Sequence, residues 1–190
     1  MKTTRLAAGV LVLLVAGIVV LAAAREPARA ASDPALDVKA MAKDGRVLVS
    51  FTLADGFTTE LQAATRSGMA ATIAYELELR RYGTLWFDRT LATSTVTASA
   101  RFDHLTRQHR LTRTVDGRGE EPRLTEDEAE VREWMTVFKQ LSLFSTQGFE
   151  PIGEYYVRVR AKTRPRVNWF LFWPWEHGVP TGEARFTLSQ

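Results

Sequence analysis

The chain has 190 residues, with 25 lysines and arginines against 22 aspartates and glutamates, and no cysteine. Four of those cations and one of those acids precede residue 31, so the rest carries 21 of each; without surplus cations to bind phosphates, a nucleic-acid partner is not expected. The missing cysteines exclude a disulfide framework, a thiolate nucleophile and a lipid-modifiable thiol, which leaves packing to supply stability.

Residues 6–24 run without a charge behind Lys2 and Arg5. Such a stretch routes the remainder of the chain out of the cytoplasm. Its 19 residues fall between the apolar core of a signal peptide, roughly 7–15, and the roughly 20 needed to span a bilayer. Ala22-Ala23-Ala24 and Ala28-Arg29-Ala30 offer cleavage exits, while Arg25 suits a stop at the membrane surface. Residues 1–30 are therefore expected to be a signal peptide or an N-terminal membrane anchor, with 31–34 a short tether. Residues 35–190 are expected to form one domain, which at about 160 residues can bury some 70% of its unfolded surface.

From Leu36 the apolar residues alternate. Leu36, Val38 and Ala40, then Val47, Val49, Phe51 and Leu53, read as two half-buried strands joined at Asp44-Gly45. Thr58 or Thr59 can cap a short helix over about 58–67 that Gly68 ends. Period two returns at Ile73, Tyr75, Leu77 and Leu79, and again at Val96, Ala98, Ala100 and Phe102, whose hairpin partner carries His109, Leu111, Arg113 and Val115. The polar stretch to Arg123 reads as a loop. Thr125 and Glu128 have capping-box spacing, and Val131, Trp134, Met135, Phe138 and Leu141 recur at three- and four-residue steps, which predicts a helix over about 125–142. Tyr155, Val157, Val159 and Ala161 mark a late strand, and Ala184, Phe186 and Leu188 a last one. About seven strands with two helical insertions argue for a mainly β protein, an antiparallel β-sandwich.

His104 and His109 flank a turn near Asp103, but they fall short of the ligand count a zinc site needs, so no metal and no cofactor is expected. There is no Gly-x-Ser-x-Gly elbow and no glycine-rich phosphate cradle, and no catalytic residue can be named. Two polar patterns stand out. Arg158, Arg160, Lys162 and Arg164 line one face of a strand over about 20 Å, at 3.3 Å per residue. They either pair with acids such as Glu76, Glu78 or Asp103 on neighbouring strands, or meet an anionic partner. The run 169–175 then holds Trp169, Trp173 and Trp175. Adjacent aromatics on an extended backbone point to opposite sides, so they either cap an open end of the sandwich or bind a partner.

The segments Trp86-Phe87-Asp88-Arg89-Thr90, Arg113-Thr114-Val115-Asp116-Gly117, Glu154-Tyr155-Tyr156-Val157-Arg158-Val159-Arg160 and Trp173-Pro174-Trp175, in that order, resemble an uncharacterised bacterial family, domain-of-unknown-function family 4390. The resemblance covers about Leu36 to Leu188. It implies an exported or membrane-anchored envelope protein, in some genomes encoded beside a sensor kinase, and it carries no known catalytic residue. The expected function is a non-enzymatic binding or accessory module in the periplasm or on the extracytoplasmic side of the inner membrane. Its expected partners are the inner membrane, through residues 6–24 if uncleaved, and an envelope protein or anionic lipid, met by Arg158, Arg160, Lys162, Arg164, Trp169, Trp173 and Trp175. The alternatives are an envelope hydrolase using paired carboxylates and a carrier of lipid or small ligands.

Overall fold

The structure, a computed structural model, describes residues 35–83, 88–150, 153–164 and 179–187, with Thr163 and Arg164 as backbone only. All of these fall in one compact unit, Pro34–Gln190. In chain order the elements are β1 (Ala35–Lys43), β2 (Arg46–Ala54), α1 (Thr59–Arg66), β3 (Ala71–Arg81), β4 (Arg89–Asp103), β5 (Gln108–Val115), β6 (Arg118–Gly119), β7 (Arg123–Thr125), α2 (Glu128–Thr136), β8 (Val137–Ser145), β9 (Tyr155–Arg164) and β10 (Thr181–Phe186). Every strand pairing is antiparallel. One sheet has the order β1-β2-β8, and the other β10-β9-β3-β4-β5, with the short β6 and β7 both on the outer edge of β5. The protein is thus mainly β and sandwich-like, as the alternation predicts.

Period two decides which side chains are buried. Val47, Val49, Phe51 and Leu53 of β2 and Ile73, Tyr75, Leu77 and Leu79 of β3 line the interior, each set alternating with less buried residues on the outside, most of them polar. At mid-height the rings of Phe51, Tyr75 and Phe138 pack with centroids 4.5–5.0 Å apart and fill the space between the sheets. Tyr75 is fully buried, and its hydroxyl donates to the Met135 carbonyl at 2.7 Å. The two sheets meet closely at one edge: a Cβ on Gly182 of β10 would collide with the Leu36 carbonyl oxygen and lie 2.6 Å from Val38 Cγ2 of β1. Only a residue without a side chain permits that approach.

The connections define two ends. Ala54 leads through α1 into Ala71, so the Ala35/Ala54 end of the small sheet lies with the Ala71 end of the large one. That end also collects the β4–β5 turn, tied by the Arg101 Nε bond to the Gly68 carbonyl at 2.9 Å, and the backbones of Arg164 and Val179. At the opposite end Thr146 donates to Gly45, and Arg81 pairs with Glu150.

Three expectations change. The described residues form ten strands rather than about seven, because the stretch after Asp116 forms β6 and β7 along the edge of β5 and part of the expected second helix is a further strand, β8. The second helix runs only over Glu128–Thr136, and residues 137–145 are strand β8, paired with β2. Thr136 and Val137 are β-branched and disfavour continuation. The three-residue spacing of Phe138, Leu141 and Phe144 arises from two register shifts against β2, the first with Gln140 at φ 51°, rather than from helical turns. The helix is capped by Asp127, whose carboxylate accepts from Ala129 at 2.8 Å, and Thr125 instead accepts from Asp127. Among the described residues no helix is long and apolar enough to cross a membrane, and residues 6–24 lie outside them.

Candidate functional site

The outer face of the large sheet carries the predicted cation row. Tyr156, Arg158, Arg160 and Lys162 share the solvent side of β9, because residues two apart on a strand share a face. Arg158 Nε reaches Glu183 of β10 at 2.6 Å, Arg160 reaches Glu78 at 3.3 Å and Lys162 reaches Glu76 at 2.7 Å. The last two are diagonal contacts, since the register places Arg160 opposite Glu76 and Lys162 opposite Ala74. Glu76 and Glu78 are therefore the neighbours that the sequence pointed to. Asp103 is not: its carboxylate accepts from the Leu105 amide at 2.8 Å in the β4–β5 turn. Pairs at a solvent-facing sheet surface contribute about 1 kcal/mol each, so another anion can displace the acid at small cost.

The row ends in a cluster that the sequence pattern does not single out. Tyr156, although on the outer face, is buried; its hydroxyl donates to Asp88 at 2.6 Å and its ring lies 4.6 Å from that of Tyr82. Burial, followed by the bond to Asp88, pushes the Tyr156 phenol up to about 12, and the same bond holds the Asp88 carboxyl below its usual range. Arg185, opposite Tyr156 on β10, lies 5.0 Å over the Tyr82 ring. The available signal was a tyrosine in phase with three cations, on a face where an exposed ring has nothing to pack against.

Arg164 continues β9 toward the Ala71 end. Trp169, Trp173 and Trp175 lie outside the described residues, but the chain enters that segment after Arg164 and leaves it before Val179, both at the same end of the sandwich. His104 and His109 each pack against Phe102, with centroids at 5.1 and 4.9 Å. His109 is buried, and its Nδ1 has no hydrogen-bond partner among the described residues. Desolvation lowers its pKa. Among the described residues no group of three His, Cys, Asp or Glu side chains is placed to hold a metal.

Among the described residues, every carboxylate with a clear shift is held toward its charged form. Glu60, Asp88, Glu128, Glu130 and Glu150 all have lowered pKa values, each mainly through a hydrogen bond from a neighbouring side chain. A general acid needs the opposite shift.

Comparison with known families gives a match to the model described as Domain of unknown function (DUF4390), over residues 36–181. No curated protein and no solved structure matches the chain.

Proposed function

The chain belongs to the DUF4390 family of domains of unknown function, and from that premise we propose that it is a non-enzymatic binding module of the bacterial envelope. Residues 6–24 deliver the domain beyond the cytoplasm, as a signal peptide or as an anchor in the inner membrane. The domain then engages an anionic partner through Arg158, Arg160, Lys162 and Arg164 together with Trp169, Trp173 and Trp175. An accessory role beside a sensor kinase fits this reading.

One observation supports it most. The cation row runs along the solvent face of the large sheet and leads at Arg164 into the tryptophan-rich segment, so charge and aromatic bulk adjoin in the chain at one end of the sandwich. The row is held by half-buried ion pairs at the sheet surface that a carboxylate or phosphate can replace. The tryptophans add the apolar anchors that concentrate binding energy.

The test is crosslinking of the full chain in intact cells, comparing it with Trp173→Ala/Trp175→Ala and Arg160→Glu/Lys162→Glu variants. Loss of the crosslinked partner with the melting temperature nearly unchanged supports the reading. A large loss of stability in the tryptophan variant shows that these residues cap the core instead.

A further inference from the structure

The β4–β5 turn presents a second, unassigned surface. His104 to Arg107 form its tip, with the Leu105 side chain 95% exposed. The tip is rigidly built: Asp103 accepts from the amides of Leu105 and Thr106, and Arg107 takes a left-handed conformation at φ 59°. Met69 and Leu124 are also exposed, at 52% and 60%. Met69 follows Gly68, which sits against the His104 ring, and Leu124 lies opposite Arg110 in the register of β5 and β7. Three large apolar side chains are thus held out at one end of the large sheet.

The charges here differ from those along β9. Arg101 and Arg110 face each other directly across β4 and β5, and neither has an acid within ion-pair distance among the described residues. Like charges directly opposite destabilise a strand pair. Arg107 adds a third cation. The nearby acids Asp103 and Glu126 are held by neutral donors, the first by its own turn and the second by Gln108 at 3.4 Å, so they keep their charge but form no ion pair with these arginines. On β9, by contrast, Arg158, Arg160 and Lys162 each have an acid. Uncompensated arginines around projecting apolar residues match a surface with anionic phosphates above a hydrocarbon layer.

Chain length selects the occupant. Ala35 lies at this same end of the sandwich, and only residues 25–34 separate it from the apolar run that stops at Ala24. Ten residues span at most about 35 Å.

We propose that the β4–β5 turn docks on an anionic lipid bilayer, Leu105, Met69 and Leu124 entering the headgroup boundary while Arg101, Arg107 and Arg110 lie among the phosphates. The proposal rests on the chain being held at a membrane, as put forward above.

The absence of native cysteine makes the test clean. Full-length chain carrying Thr106→Cys, or Lys43→Cys at the opposite end, is labelled with an environment-sensitive dye. It is then reconstituted in vesicles of phosphatidylcholine with or without phosphatidylglycerol. Docking predicts that the dye at 106, and not at 43, is shielded from aqueous iodide and quenched by lipid-borne nitroxide, more strongly with phosphatidylglycerol. Adding Leu105→Asp or Arg110→Glu should restore iodide access, the docked-to-free ratio falling about fivefold for each positive charge lost. If the protein floats with the vesicles but both positions are equally open to iodide, docking is overturned and the membrane reading survives. If it does not float, both fail.

Discussion

Arg113 allows the sharpest test of how the two sheets are joined. It stands on the interior side of β5, half-buried, with its guanidinium 4.1 Å from the Trp134 ring centroid and 4.3 Å from that of Phe138. Its Nη2 donates to the carbonyls of Trp134 at 2.5 Å and Val137 at 2.9 Å, and its Nε also points to Trp134. One side chain therefore ties the large sheet to the end of α2 and the start of β8, where helix carbonyls lack intrahelical partners. Arg113→Met keeps most of the stem but loses the fork. Charged hydrogen bonds contribute about 1.5–3 kcal/mol and each cation–ring contact about 1 kcal/mol. Relief of desolvation, the main cause of the lowered Arg113 pKa, offsets part of this. The net expected loss is about 2–3 kcal/mol, or roughly 5–10 °C in melting temperature for a domain of this size. Arg113→Lys should recover less than half, since an ammonium cannot place planar donors on both carbonyls between two rings. Thermal and urea unfolding of the full chain in detergent, followed by tryptophan fluorescence, would measure both variants. A loss below about 0.5 kcal/mol for the methionine variant, or full recovery by lysine, would refute the stapling role.

Gly182→Ala should cost about 1–3 kcal/mol, because the new methyl overlaps the Leu36 carbonyl and must push β10 from β1; denaturant unfolding would show it, and an unchanged midpoint would mean that the edge gives way freely. His109 should make stability fall with acid. Its folded pKa is lowered, chiefly by burial, while the unfolded histidine stays near 6.5. The unfolded chain therefore takes the proton first. The contribution is full above about pH 6.5 and is lost as the pH drops through the folded value, with Glu128 opposing the shift and Arg66 adding to it. Replacing His109 by Phe should flatten that part of the stability–pH curve, and an unaltered curve would count against the assignment.

The sequence alone determined every element whose burial pattern comes from strict alternation. Strands β1, β2, β3, β4 and β9 were legible because one inward face forces period two, and the shared face of Arg158, Arg160 and Lys162 followed from the same rule. Even Glu76 and Glu78 could be named as neighbours. The sequence could not show that the pairing is diagonal, since that depends on register. Tertiary structure decided the rest. The bulge at Gln140 shifts the phase of β8 and gives a strand the spacing of a helix, so only pairing with β2 could tell them apart. His109 reads as a hairpin histidine until the strands bring it against Phe102 inside. Opposition of Arg101 to Arg110 depends on the register of the β4–β5 hairpin, and the gathering of Ala35, Leu105 and Arg164 at one end arises from connections between residues far apart in sequence, where local spacing carries no signal.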